Sequence, residues 1–251
     1  MQKFSFYLQT ISSLISSPRD DLVFYSQLDQ FTTDKKIGDN AINMIYPLYQ
    51  YGEYKKYDPE QALYYLPGSS IKGALRQGSN ASGSLMVDDM PIPNAAVVLR
   101  NLYKVQYLQN KDKEATFGSF FPNVGVEMVK ENTALHGDIY ANSQEDLKQL
   151  FETANVSTRN KIEQMQSYLC QLIGKCEQEA NKCQGVTDIL QQANANLCSY
   201  AEDKNVILFG GYKGLLHSIV VTGSHEDVKS AIYLDPHTHL PHGLMHIDLC
   251  V

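Results

Sequence analysis

Alternation and helical periodicity divide this chain into strands, one short helix and a long helical stretch. Phe4, Phe6, Leu8 and Thr10 alternate with polar residues, so positions 3–11 predict a half-buried strand. Positions 22–25 predict a short second strand, and 62–66 an extended run that stops at Pro67-Gly68, a turn signal. Ser69 and Ser70 then offer N-caps for a helix carrying Ile71, Ala74 and Leu75 at helical spacing. Further strands are expected at 85–87, 96–99 and 124–128, in the segment reaching Ile139-Tyr140, at 205–209 and over Gly243 to Leu249.

Positions 144–200 change period. Ile162, Met165, Leu169, Leu172, Ile173, Cys176, Ala180 and Cys183 recur every three to four residues on one helical face. Ser157 or Thr158 is the expected cap of that helix and Gly185 its expected end. Val186, Ile189, Leu190, Ala193 and Leu197 continue as a second amphipathic segment. Strands on either side of a helical block predict an α+β protein whose helices dock on the sheet or on a neighbouring subunit.

A chain of 251 residues, 43% hydrophobic and 20% charged, is long enough for a sizeable core and ordinary in composition for a globular protein. No apolar run is long enough to span a bilayer and no export signal is visible after Met1, so the cytoplasm is the expected compartment. The five cysteines form no C-x-x-C pair, which removes zinc-knuckle and redox motifs; reduced, buried thiols are expected. The formal net charge of −7 argues against binding nucleic acid by bulk electrostatics. Yet residues 66–107 hold Lys72, Arg76, Arg100 and Lys104 against only Asp88 and Asp89, a cationic strip on an acidic body.

The corner at 67–76 carries the main candidate chemistry. A helix start leaves backbone N–H groups unpaired at the positive end of the helix dipole, and Ser69, Ser70, Lys72 and Arg76 add donors and charge, so a phosphate could rest there. A second candidate is Gly210-Gly211-Tyr212-Lys213-Gly214, whose glycines let backbone N–H groups approach a ligand while lysine supplies charge. Its spacing fits neither a Walker loop nor a dinucleotide fingerprint. Tyr46, Tyr49, Tyr51, Tyr54 and Tyr57, interleaved with Lys55 and Lys56, could stack on single-stranded nucleic acid; packing onto the core is the favoured expectation. Asp88 and Asp89 read as turn and backbone-bonding residues, since neighbours at a strand end point to opposite faces and form no dyad. Glu127 reads as structural. His237, His239 and His242 lie in a proline-broken segment, which predicts a surface loop rather than a metal site.

The corner also resembles P-G-S-S-x-K-G-x-[LI]-R, the signature of the RAMP superfamily of RNA-binding subunits in type III CRISPR effector complexes. Ala74 after Lys72-Gly73 is most similar to the subunit that caps the 3′ end of the guide RNA in the type III-A (Csm) complex. The 210–214 loop resembles the family's glycine-rich loop, which touches the guide-RNA backbone. The resemblance implies a ferredoxin-like (RRM-like) core in a single domain over 1–251, with 144–200 as a helical insertion. It implies a non-catalytic guide-RNA (crRNA) binding subunit with no cofactor and no metal. Ser69, Ser70, Lys72, Arg76, Gly210, Gly211, Tyr212, Lys213 and Gly214 are then its RNA-binding residues. Implied partners are the guide RNA, the backbone RAMP subunit and the small helical subunit, with target RNA open as a further ligand and no membrane. The chain departs from the family pattern after the first strand, where Ser12-Ser13-Leu14-Ile15-Ser16-Ser17-Pro18 stands in place of a glycine pair.

Two alternatives involve catalysis. Asp39 lies where the family's backbone subunits keep the aspartate that cleaves target RNA, although Gly38-Asp39-Asn40 also reads as an ordinary turn. Ser69 and Lys72 satisfy the S-x-x-K motif of serine acyl enzymes, but the S-D-N and K-T-G elements are missing.

Overall fold

The computed structural model describes residues 1–18, 22–26, 36–37, 40–79, 83–107, 115–178, 183, 185–210, 214–220 and 231–250. The first strand, β1 (Gln2–Thr10), keeps the alternation of its sequence: Phe6, Leu8 and Thr10 are buried while Lys3 and Ser5 face outward. Short strands follow: β2 (Phe24–Tyr25), β3 (Lys36–Ile37), β4 (Asn40–Ala41), β5 (Met44–Tyr46) and β6 (Tyr65–Leu66). After helix α1 (Gly68–Leu75) come β7 (Met86–Val87), β8 (Met90–Pro91), β9 (Val97–Arg100) and the hairpin β10 (Tyr103–Tyr107) with β11 (Ala115–Ser119). Strands β12 (Val124–Val129) and β13 (Ala134–Ala141) lead into helices α2 (Gln144–Gln178) and α3 (Val186–Cys198). The chain ends with β14 (Val206–Leu208), α4 (Gly214–Ser218), β15 (Ile232–Leu234) and β16 (Leu244–Leu249). This is a mixed α+β architecture with several sheets.

The largest sheet has the order β14-β16-β1-β13-β7, with every neighbouring pair antiparallel. Leu8 stands opposite Leu135 on one side and Ile247 on the other, so hydrophobic positions of three strands line up on one face. Ile71 and Leu75 of α1 and Leu147, Leu150 and Ala154 of α2 cover that face in a single cluster. Each such buried aliphatic side chain contributes roughly 1.5–3 kcal/mol.

Helix α2 begins before the expected caps. The Ser143 hydroxyl accepts the Asp146 N–H at 3.1 Å, and Glu145 and Asp146 sit in the first turn, where the dipole favours negative charge. Ser157 and Thr158 are therefore interior, and Thr158 Oγ1 instead accepts the Leu208 N–H of β14 at 2.9 Å. The helix starts early because Leu147, Leu150 and Ala154 extend the same periodicity toward the sheet. Gly185, at φ +87°, is the N-cap of α3 rather than the end of the preceding helix. Ala180 lies outside the described residues. Ile162, Met165, Leu169, Leu172 and Cys176 meet Leu190, Ala193 and Leu197 of α3 together with Val105, Ile232 and Leu234. Cys176 and Cys183 are buried as expected of small hydrophobes, whereas Cys170, Cys198 and Cys250 are exposed; none of the five forms a disulfide among the described residues.

Two smaller sheets join strands whose pairing has no signal in the sequence pattern, although the segments at 22–25, 96–99 and 124–128 do supply the strands β2, β9 and β12 expected there. One is β11-β10-β15, and the other, β2-β5-β12-β9, includes a parallel pairing of β5 with β12. A bridge from Leu14 to Val129 ties the end of β1 to the second of them.

The serines after β1 form a buried staple. Ser12 Oγ donates to the Pro241 carbonyl at 2.6 Å and accepts the Leu244 N–H at 3.1 Å. The Ser13 N–H donates to Asp235 Oδ2 at 2.8 Å, and Ser13 Oγ lies 2.8 Å from His242 Nδ1. His242 is thus fully packed inside, which corrects the surface-loop expectation for it; His237 remains exposed. No group of three or more His, Cys, Asp or Glu side chains able to hold a metal occurs among the described residues.

Burial drives the His242 imidazole down to about 4, partly opposed by the Asp235 carboxylate beside it and reinforced by Arg100. The unfolded chain takes up this proton near pH 6.5 and the folded chain only near 4. Stability is therefore complete above pH 6.5 and falls as the pH drops through that window, by about 3 kcal/mol. Burial alone would raise the Asp235 carboxyl, but the N–H groups of His237 and Ser13 hold it below the usual range, so its own loss comes at lower pH. Urea midpoints measured from pH 7 to 4.5 should show the decline, and His242→Asn should flatten it. A variant that keeps the full decline would assign it to other groups.

Candidate nucleic-acid interface

The corner at Pro67 forms as its residues predict, with one difference in how the helix is capped. Pro67, extended at ψ 128°, is the N-cap and makes no side-chain cap, so Ser69 and Ser70 lie within the first turn rather than before it. The capping group comes from elsewhere: Asp89 Oδ1 accepts the Gly68 N–H at 2.8 Å. The N–H groups of Ser70 and Ile71 bond to the Pro67 carbonyl. The row of open donors expected at this helix start is accordingly smaller, and a carboxylate of the chain itself holds part of the anion position. Asp89 does bond backbone, as its turn reading predicts, but its partner lies 21 residues away and has no local signal.

What remains open is the side of α1. Gly68, Ile71, Ala74 and Leu75 are buried, whereas Ser69 and Gly73 are exposed and Ser70, Lys72 and Arg76 partly so. At 100° per residue, Ser69, Lys72, Gly73 and Arg76 fall within an arc of about 100°, a single outward stripe. Lys72 has no hydrogen-bond or ion-pair partner among the described residues. The other cations of the strip are used internally. Arg100 makes a bidentate pair with Glu131 at 2.8 and 3.2 Å, and its hydrogen bonds hold the Glu131 carboxyl below its ordinary range. Lys104 sits 4.4 Å from the centre of the Phe120 ring. Arg76 donates to the Gly83 carbonyl at 2.7 Å and borders a groove of about 570 Å³ between α1 and the start of α2.

The two glycines of the corner differ in what the fold demands of them. A Cβ on Gly68 would lie 2.0 Å from the Val87 carbonyl oxygen, so no side chain fits. A Cβ on Gly73 would meet nothing within 4 Å. Glycine inside a helix costs about 1 kcal/mol relative to alanine, and at Gly73 no internal contact accounts for that cost.

Of the second candidate loop, Gly210 and Gly214 are described, and Gly211, Tyr212 and Lys213 lie outside the described residues, as does Asp39. Gly210 takes φ +102° and a Cβ there would lie 2.4 Å from the Ile15 carbonyl oxygen, so the strand can turn here only with glycine. The loop starts directly after Phe209, whose side chain shares a cluster with Ile71 and Leu75 of α1, and β14 packs beside that helix. The hydroxyls of Ser69 and Ser70 have no hydrogen-bond partner among the described residues, so the S-x-x-K reading finds no activating base there.

The tyrosine segment is divided between packing and exposure. Glu127, 1% exposed, accepts hydrogen bonds from the Leu48 N–H at 3.0 Å, the Tyr64 hydroxyl at 2.6 Å and the Tyr57 hydroxyl. Burial and this carboxylate push the Tyr57 and Tyr64 phenols well above their ordinary range, which keeps them as donors. Tyr54 packs near Phe24, and its hydroxyl oxygen accepts the Gln50 N–H at 2.9 Å. Tyr51 stands apart: it is 54% exposed and stacks on Tyr65 with ring centres 4.1 Å apart.

No protein-family model matches the sequence, and no curated protein does. Among solved structures, a chain from a cryo-EM structure described as a Csm-crRNA-target RNA ternary complex of a type III-A CRISPR-Cas system is similar to this one. It aligns at a TM-score of 0.51 and 10% identity, over 98% of this chain and 100% of that chain. At that identity the likeness establishes a shared fold. No helix among the described residues is long and apolar enough to cross a membrane.

Proposed function

We propose that this chain is a guide-RNA (crRNA) binding subunit of a type III-A CRISPR interference complex, holding the sugar-phosphate backbone near the guide's 3′ end. In this reading it contributes no catalytic residue, and it stacks on the backbone RAMP subunit beside the small helical subunit. Target RNA is a further ligand. The largest sheet supports a ferredoxin-like core for this role. Taking β1, β7, β13 and β16 as its four strands, the order is second, third, first, fourth, with α1 between the first two and α2 between the last two. The structurally similar chain comes from an assembly with crRNA, which points the same way.

The observation that carries the reading is Gly73: a helix-interior glycine with open space around it, in the stripe that presents Ser69, Lys72 and Arg76. A bare backbone there allows a phosphodiester to approach the helix closely while Lys72 neutralises it. Phosphate contacts carry no base information, so the grip accepts any guide sequence.

Gly73→Ala is expected to stabilise the isolated protein by roughly 0.5–1 kcal/mol while weakening its retention of single-stranded RNA, and Gly73→Leu to weaken retention further. Lys72→Ala should lower the slope of log affinity against log salt by about 1. Retention by Gly73→Leu equal to that of the wild type would remove the basis of the reading.

A further inference from the structure

We propose that Tyr51 is a stacking platform for one nucleobase of single-stranded RNA, set at the corner where α1 begins. The inference rests on the RNA-binding reading above and adds a base contact to a site otherwise built for phosphate.

The ring of Tyr51 is held on one side only. Tyr65 stacks beneath it at 4.1 Å and 14°, and Tyr49 supports Tyr65 at 5.8 Å and 52°. Backbone bonds from Tyr51 to Leu63 and from Tyr65 to Tyr49 fix the two segments that carry these rings. The Tyr51 hydroxyl donates to Asp89 Oδ2 at 3.1 Å, which sets the rotation of the ring. With one face covered and the tip anchored, the exposure of this side chain lies on the opposite face and its edges. A rigid ring with one open face accepts a flat π-system with little loss of side-chain freedom.

Position and charge select a nucleobase as the occupant. Asp89 bonds both the Tyr51 hydroxyl and the Gly68 N–H, so a single carboxylate separates the ring from the first residue of α1. Lys72 lies one helical turn further along, about 6 Å by the helical rise. Asp89 repels phosphate from the tyrosine side, while Lys72 attracts it on the helix side. A nucleotide therefore enters with its phosphate toward Lys72 and its base toward Tyr51. Because every base has a π-face, the platform does not discriminate among them.

The test uses the full-length chain and two fluorescently labelled probes of equal length, oligo(A) RNA and an abasic ribose-phosphate oligomer. Tyr51→Leu is expected to bind oligo(A) about 5- to 100-fold more weakly, with the abasic oligomer and the salt slope unchanged. Tyr51→Phe, which keeps the ring, should retain most of the affinity. A 2-aminopurine reporter in the RNA should be quenched by wild type and relieved by Tyr51→Leu, and matched thermal melts exclude misfolding. If Tyr51→Leu holds oligo(A) like wild type while Lys72→Ala does not, the platform is wrong and the RNA reading stands. Equal weakening of both oligomers by Tyr51→Leu also overturns the platform. If wild type retains neither oligomer, both fall together.

Discussion

Gly68→Ala should destabilise the protein by about 4 kcal/mol. The added methyl would sit 2.0 Å from the Val87 carbonyl oxygen and 2.7 Å from its carbon, so it collides with backbone and not with a side chain that could rotate away. Relief requires the start of α1 to move off β7. That movement also stretches the 2.8 Å bond from the Gly68 N–H to Asp89, whose other oxygen holds Tyr51. A clash of this kind costs up to about 3 kcal/mol, and a weakened charge-assisted hydrogen bond adds about 1–2 more. For a chain of this size, a thermal midpoint lower by about 8–16 °C follows. RNA binding should fall as well, because the outward stripe of α1 shifts with the helix. Gly73→Ala, five residues on, should move the thermal midpoint the other way. Equal melting of Gly68→Ala and wild type would mean that α1 does not approach β7 so closely.

Glu127→Ala is expected to cost a similar amount, about 4 kcal/mol, for a different reason. The mutation leaves the Leu48 N–H and the hydroxyls of Tyr64 and Tyr57 facing a dry cavity without their acceptor. Each orphaned donor costs roughly 1–3 kcal/mol, and they belong to three points of the segment that packs on β12. Glu127→Gln should fall between wild type and alanine, since its carbonyl still accepts one bond while its amide opposes another donor. Tyr64→Phe in the Glu127→Ala background should recover part of the loss by removing one orphan. Independent, additive effects of Glu127→Ala and Tyr64→Phe in denaturant titrations would show that the two groups are not coupled.

The two glycines of the corner look alike in the sequence and differ in the fold. Both belong to a recognisable motif, but only the approach of Val87 makes Gly68 a steric necessity, and only the empty space at Gly73 makes its flexibility a surplus. The same holds for the cations. Counting Lys72, Arg76, Arg100 and Lys104 together predicts a basic strip, yet Glu131, Phe120 and the Gly83 carbonyl engage three of them. Their partners are brought in by strand pairing and chain reversal, which leave no mark on the neighbouring text.

By itself the sequence determined what local sterics and periodicity control: the alternation of β1, the turn and helix at Pro67, the apolar stripe from Ile162 to Cys176, and the last strand. Only the tertiary structure decided which polar groups met. Asp89 became the cap of a helix 21 residues upstream, His242 went into the core against Ser13, and Tyr51 came to lie beside the start of α1. Backbone propensity acts over a few residues. The pairing of buried polar groups depends on strands brought together from distant parts of the chain, where desolvation penalises a polar group left without a partner.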